Sequence, residues 1–325
     1  MKNPTLPDTF EGSVSLWDII PDVHGHSHKL VTLLEHLGYQ KQGGAYCHPD
    51  PTRKALFLGD LIDRGTDNAG TIDIVRRMVD GGHALAIMGN HELNALHYAY
   101  EDSTGRPLRA RTERNTQQHQ SFLDEFPLKS PKAQAQLDWI MSLPLFVEID
   151  GFRAVHASWC PQSIETVLTY CDGPYLSKEH LVASSRPHHP LHKAIERLLK
   201  GPEIDLPDGV SYADKDGQVR KKSRLAWWAS NAESWADITA SVPDPEATFR
   251  NAIFPEDLTG QVYAANAPPV FFGHYWMSGD PVLQSHNALC LDYSAGYDGP
   301  LISYCHKVGS EVIDLKNLDY PQMAA

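Results

Sequence analysis

The sequence predicts an α/β protein. Three observations carry this. Short apolar runs alternate with segments of helical periodicity through the first half of the chain. Turn-forming and polar residues fall just past the ends of those runs. Hydrophobic residues make up 42% of 325 positions, enough for a full core.

The elements follow in order. Residues 16–23 read as a first strand. Leu30, Leu33, Leu34 and Leu37 then recur at helical spacing and stop at Gly38. Residues 55–58 form a second strand, followed by a helix through Ile72, Ile74, Val75, Met78 and Val79 that stops at Gly81-Gly82. Residues 84–88 form a third strand. From 92 to 142 the composition is mostly helical, broken at Gly105-Arg106-Pro107 and Phe126-Pro127. Strands return at 145–149 and 152–156, a hairpin across Asp150-Gly151. Apolar runs at 270–272, 288–291, 301–304 and 312–315 read as a closing sheet. Residues 172–222, rich in Pro, Gly, His and charge, read as an insertion, and 95–138 as another. No repeat or linker divides the chain, so one domain over residues 1–325 is expected.

Charge and composition exclude several functions. Lys and Arg total 28 against 41 Asp and Glu, a net charge of −13. That balance disfavours broad binding to nucleic acid or to an anionic membrane. Cys47, Cys160, Cys171, Cys290 and Cys305 are scattered, form no Cys-x-x-Cys pair and read as reduced thiols. Residues 1–12 hold Asp8, Glu11 and two prolines without an apolar leader core. No run approaches the ~18 apolar residues of a membrane span. A cytoplasmic location is the expectation.

Metal-capable residues sit where the strands end. After the first strand comes Asp22-Val23-His24-Gly25, and after the second Gly59-Asp60-Leu61-Ile62-Asp63-Arg64-Gly65. Gly89-Asn90-His91-Glu92 follows the third, His156-Ala157 the hairpin, and Gly273-His274 the 270–272 run. Loops after strands are where open α/β folds place their sites. The donors are oxygen and imidazole nitrogen, a mixture that suits Mn, Fe or Zn rather than Ca or a thiolate site.

Asp-x-His, Gly-Asp-x-x-Asp-Arg-Gly, Gly-Asn-His-Glu, a later His and a final Gly-His, in this order, resemble the calcineurin-like metallophosphoesterases. The fuller form with Asp-Arg-Gly resembles the branch holding Ser/Thr protein phosphatases and bacterial diadenosine tetraphosphate hydrolases. The resemblance implies two mixed β-sheets packed as a sandwich with helices outside, a four-layer fold. It also implies two divalent cations, Mn foremost. Asp22 and His24 would bind the first, Asp60 would bridge both, and Asn90, His156 and His274 would complete the second. Many relatives end in Gly-His-x-His. Here Trp276 stands at the second His, as in the protein-phosphatase-like branch.

The implied chemistry is in-line attack of hydroxide on phosphorus. Arg64 is the expected phosphate clamp, with Arg224 as the second substrate-binding arginine. His91 is the expected acid for the leaving oxygen, oriented by Asp63. The favoured reading is a phosphomonoester or phosphoprotein phosphatase. Glu92 resembles the protein phosphatases, whereas the stretches 143–157 and 291–301 resemble the bacterial hydrolases. Diadenosine tetraphosphate hydrolysis is therefore the alternative, and a non-catalytic phosphate-binding module a remote one. A phosphorylated small molecule, dinucleotide or phosphoprotein is the expected partner.

Other polar and aromatic residues read more plainly. Arg106, Arg109, Arg111 and Arg114 look like a solvated helix face, with contact to a highly charged substrate as the sharper reading. His26 and His28 are expected to open the helix after the first loop. His188, His189 and His192, among prolines, read as a solvated loop. Trp227, Trp228 and Trp235 read as core, with base stacking as the alternative.

Overall fold

The computed structural model describes residues 14–213, 219–230, 232–240, 242–250, 252 and 262–321. Residues 1–12 and part of the 172–222 region lie outside these. The strands of the first half are β1 (Leu16–Ile20), β2 (Gln40–Gln42), β3 (Ala45–Cys47), β4 (Arg53–Phe57), β5 (Ala84–Ala86), β6 (Phe146–Ile149) and β7 (Phe152–Val155). Those of the second half are β8 (Glu203–Asp205), β9 (Tyr212–Ala213), β10 (Val219–Arg220), β11 (Lys222–Arg224), β12 (Val270–Phe272), β13 (Ala288–Cys290), β14 (Ser303–Lys307) and β15 (Leu318–Asp319).

Two mixed sheets form the centre, ordered β15-β14-β1-β4-β5 and β13-β12-β7-β6. In the first, β1, β4 and β5 run parallel, β14 pairs antiparallel with β1, and β15 pairs antiparallel with β14. In the second, β7, β12 and β13 run parallel and β6 pairs antiparallel with β7.

Side-chain alternation decides the layering. Trp17, Ile19, Leu56, Leu58 and Leu85 of the first sheet meet Val147, Phe152, Phe271 and Leu289 of the second in one inter-sheet core. The opposite faces, carrying Ile20, Ala55 and Phe57 or Val155, Phe272 and Cys290, join the larger core beneath the helices. Both faces of each sheet are thus buried, which is why the strands read as continuous apolar runs. The result is the expected four-layer α/β sandwich.

The helices that bear on function are α1 (Ser27–His36), α2 (Asn68–Asp80), α3 (Asn90–Ala99), α4 (Glu113–Gln118), α5 (Gln120–Glu125), α6 (Pro131–Met141), α7 (Pro161–Tyr170), α8 (Lys178–Ser184) and α9 (Pro190–Lys200). Among the described residues, no helix is long and apolar enough to cross a membrane.

Two expectations need correction. Residues 312–315 are not a strand: Val312 is exposed, and a 3-10 turn over Leu315–Asn317 leads into β15. The Asp314 amide donates to the Tyr304 hydroxyl at 3.0 Å, which fixes that turn. The His188–His192 stretch is not simply a solvated loop. His189 caps α9, accepting from the Leu191 amide at 3.2 Å, and α9 buries Leu191, Ala194, Ile195, Leu198 and Leu199. Those five positions recur at helical spacing, and the prolines hid it because Pro190 opens the helix rather than breaking it. The three tryptophans are buried, as the core reading expected.

Candidate metal centre

The loops after β1, β4, β5, β7 and β12 converge on one edge of the sandwich. Backbone hydrogen bonds set their spacing. The His24 amide donates to the Asp60 carbonyl at 2.9 Å, and the Gly273 amide to the His156 carbonyl at 2.9 Å. Glu92, in the first turn of α3, reaches back under the loops. Its carboxylate accepts from the amides of Asp60 (2.7 Å), Leu61 (2.8 Å) and Gly89 (2.9 Å). The approach demands glycine: a Cβ on Gly89 would stand 2.2 Å from the Asp60 nitrogen.

Asp60 Oδ2 is the focal atom. His156 Nε2 lies 3.4 Å away, His24 Nε2 3.7 Å and His91 Nε2 3.9 Å. These are long for hydrogen bonds and leave room for cations about 2.0–2.2 Å from each donor. Asp60 Oδ1 is engaged elsewhere, accepting from the His91 amide at 2.8 Å. Two sets of donors lie within 4.8 Å of one another: His24, Asp60 and His91, and Asp60, His156 and His274.

Asn90 sits on the second set. One atom of its amide lies 3.1 Å from His156 Nε2 and 2.7 Å from His274 Nδ1. A nitrogen there donates to both imidazoles. An oxygen there makes, with the two imidazole nitrogens, a convergence of lone pairs that suits a cation. The Nε2 atoms of His24 and His274 are buried without a hydrogen-bond partner among the described residues. Asp22 is fully buried beside this group, and its carboxylate accepts from the His274 amide at 3.1 Å.

Electrostatics reinforce the geometry. Burial, aided by His91, depresses the His24 imidazole to about 3, and burial with Arg224 holds His274 well below its ordinary range. Both are therefore neutral, as ligand imidazoles must be. Burial opposes charge on His156, but Asp60 and Asp22 outweigh it and push the group up to about 10, so a cation bound there would displace that proton. Burial acts to raise the Asp60 carboxyl, yet the imidazoles of His156, His91 and His24 hold it well below the usual carboxylate range. Buried carboxylates among imidazoles call for a counter-ion, and the donor set fits a divalent metal.

Around this centre lies a cleft of about 1470 Å³. Asp63, Arg64, His91, Arg224, His274 and Trp276 all line it. Asp63 and Arg64 both adopt φ of 71°, a left-handed pair that costs roughly 1–2 kcal/mol per residue. Asn68 compensates, its side-chain oxygen accepting from the Asp63 amide at 2.6 Å. The Arg64 guanidinium lies 4.2 Å from the Trp276 ring centre and donates to the Tyr297 hydroxyl at 2.7 Å. Trp276 also faces the His24 ring at 5.5 Å. Arg224 donates to the His274 carbonyl at 3.4 Å. His26 stands at the N-terminal cap position of α1, but its ring meets the Gly296 carbonyl at 3.2 Å instead of capping the helix, apart from the metal-capable sets.

The arginine segment divides. Arg109 alone of the four lines the cleft. Arg106 is exposed and paired with Asp102 at 3.2 Å, Arg111 donates to the Tyr98 carbonyl at 3.0 Å, and Arg114 is exposed. Arg106, Arg109 and Arg111 lie in the non-helical stretch between α3 and α4, and Arg114 alone stands in a helix, so helical spacing does not align the four.

Sequence reasoning missed His119, Asp292 and three cations of α9. His119 donates from Nδ1 to Asp63 Oδ1 at 2.8 Å, yet it sits at a break between α4 and α5 with no local motif. Asp292 is buried, accepts from the Trp276 amide at 2.8 Å, and adds to burial in raising the Asp22 carboxyl. Lys193, Arg197 and Lys200 of α9 line the cleft opposite, from a region read as insertion.

The comparisons with known proteins bear on the family and the fold. The family model for calcineurin-like phosphoesterase matches residues 18–213, more than half of the chain. The asymmetrical bis(5'-nucleosyl)-tetraphosphatase PrpE of Geobacillus sp. (strain WCH70) is 33% identical over 145 residues, 43% of this chain and 55% of that protein. The symmetrical bis(5'-nucleosyl)-tetraphosphatase of Ralstonia nicotianae is 35% identical over 106 residues, 33% of each. The chain thus spans about half or less of the length of these curated relatives. The cold-active protein-tyrosine phosphatase of a psychrophilic Shewanella shares the fold, with a TM-score of 0.50 at 17% identity over 94% of this chain and 81% of that one. With its motifs gathered at one edge of a two-sheet sandwich and the family model matched over residues 18–213, which hold all of them but Gly273-His274, the chain belongs to the calcineurin-like phosphoesterase family.

Proposed function

We propose that this protein hydrolyses phosphoric esters with two divalent cations, held by Asp22, His24 and Asp60 and by Asp60, Asn90, His156 and His274. The observation that carries the reading is Asp60 Oδ2, with His156 Nε2 at 3.4 Å and His24 Nε2 at 3.7 Å, both longer than an ordinary hydrogen bond and spaced for a cation between donors. Bound there, the cations would supply the positive charge and the acidified water that phosphoryl transfer needs. The nitrogen and oxygen donors suit Mn, Fe or Zn, with Mn the first to try. Arg64 and Arg224 flank the site and neutralise phosphate oxygens. Arg64 is stiffened for this by Trp276 and Tyr297. His91, whose Nδ1 is bound to Asp63 at 2.6 Å, presents Nε2 to the cleft and gives its proton to the leaving oxygen. The single-domain organisation, with 95–138 and 172–222 as insertions, belongs to the same reading.

A phosphomonoester or phosphoprotein is the first substrate class. A dinucleoside polyphosphate is the second reading, favoured by Arg109, Lys193, Arg197 and Lys200 in the cleft beyond Arg64 and Arg224. A monophosphate leaves those cations unused, whereas a polyphosphate chain does not. The relatives named above as tetraphosphatases point the same way.

The test pairs elemental analysis with turnover of p-nitrophenyl phosphate, a phosphopeptide and diadenosine tetraphosphate. Two bound metals, loss of activity in chelator and loss of both metal and turnover in Asp60→Asn are expected. Full activity in that variant ends the two-metal reading. For His91→Asn, kcat should fall ~100-fold or more on alkyl phosphates and far less on aryl phosphates, which leave unaided. An equal loss on both removes His91 as the acid.

A further inference from the structure

We propose that His119 is a positioning residue for the proton donor: it fixes Asp63, and through Asp63 the ring of His91. The inference rests on reading His91 as the acid. Asp63 carries one imidazole on each oxygen, with His91 Nδ1 on Oδ2 at 2.6 Å and His119 Nδ1 on Oδ1 at 2.8 Å. A carboxylate only accepts, so both Nδ1 atoms must donate. His91 is thereby held in the orientation that leaves Nε2 toward the cleft.

The main chain of Asp63 is already set by its left-handed φ and by the bond from its amide to Asn68. What remains free is the carboxylate, whose terminal torsion is broad and roughly two-fold. His91 alone, 12% exposed at the cleft edge, would turn with it. His119 removes that freedom because its own ring is fixed. It is 3% exposed and stacks on Phe122 at 4.7 Å and 17°. Its amide donates to the Thr116 carbonyl at 3.0 Å where α4 ends. His119 does not line the cleft, so it touches neither substrate nor the reacting atoms. The α4–α5 break, which looks like a simple helix interruption, places this ring.

The experiment compares His119→Phe, which keeps the stacking and deletes the donor, with His119→Asn, whose side-chain nitrogen can overlay Nδ1. Each purified, metal-loaded protein is assayed on an alkyl phosphate and on p-nitrophenyl phosphate, with metal content measured alongside. We expect His119→Phe to lower kcat about tenfold on the alkyl ester, a fraction of the whole general-acid contribution, and about twofold or less on the aryl ester. KM and metal content should hold, and His119→Asn should recover most of the alkyl activity. Equal losses on both esters, or Asn no better than Phe, overturn the assignment. Should His119→Phe not fold, His119→Ala with added imidazole gives the same comparison. Rescue confined to the alkyl ester supports the role, and no rescue overturns it. If His91→Asn loses alkyl turnover selectively while His119→Phe does not, this inference alone fails. If His91→Asn shows no selectivity, the acid reading beneath it fails.

Discussion

Glu92 offers the sharpest test of how the site is assembled. One carboxylate closes three loop amides, those of Asp60, Leu61 and Gly89, at 2.7–2.9 Å, and it is fully buried. Replacing it with Ala leaves three buried donors, each costing ~1–3 kcal/mol when unsatisfied. Water entering the space lowers the sum, so about 4 kcal/mol is the expected loss. That is a large part of the ~5–15 kcal/mol that a domain commands. Glu92→Gln is more discriminating. Its carbonyl oxygen can keep the Asp60 and Gly89 bonds, which share Oε2, while its NH2 then opposes the Leu61 amide. About 2 kcal/mol is expected, one lost bond to a charged acceptor. Urea denaturation of the chelated proteins measures both, with equal m-values as a check on two-state behaviour. Metal affinity should weaken in the same order, since Asp60 is carried on the loop that Glu92 holds. If both variants lie within 0.5 kcal/mol of the parent protein, the loops are held by something other than Glu92.

Two further perturbations probe the interior and the cleft. His306 is buried between the sheets against Phe152 and Phe271, and neither ring nitrogen has a partner among the described residues. Burial lowers its pKa to about 4, with Asp150 opposing weakly. Above its ordinary 6.5 the ring is neutral in both states, so stability is full there. As pH falls from 6.5 toward 4 only the unfolded chain takes up the proton, and stability is lost by up to ~1.4 kcal/mol per pH unit. His306→Leu should raise the urea midpoint and flatten the slope between pH 6.5 and 4; identical slopes would exclude His306 as the source. In the cleft, Arg109→Ala should raise KM for diadenosine tetraphosphate about 2–10-fold, while Arg106→Ala leaves it unchanged. Equal effects from the two would mean that exposure and cleft placement do not matter, and added salt should shrink the Arg109 effect if it is electrostatic.

Local sequence determined the strands, the loops after them and the residue types at their tips. It could do so because strand burial, turn chemistry and the donor atoms a side chain offers are properties of a few consecutive residues. Asp22, His24, Asp60, Asn90, His156 and His274 each stand beside a glycine or at the end of an apolar run, where local sequence marks them as candidates; their assignment as ligands is what the family resemblance implies. Composition misled where a proline opens a helix, as Pro190 does at α9, and where charged residues cluster in sequence but not in space, as with Arg106 and Arg109. Only the tertiary structure brought His119 onto Asp63, Asp292 beside Asp22 and Trp276 onto Arg64. Those contacts join residues far apart along the chain through ring packing and single hydrogen bonds. Such pairings depend on how the layers stack and where α4 ends, and no short stretch of sequence encodes either.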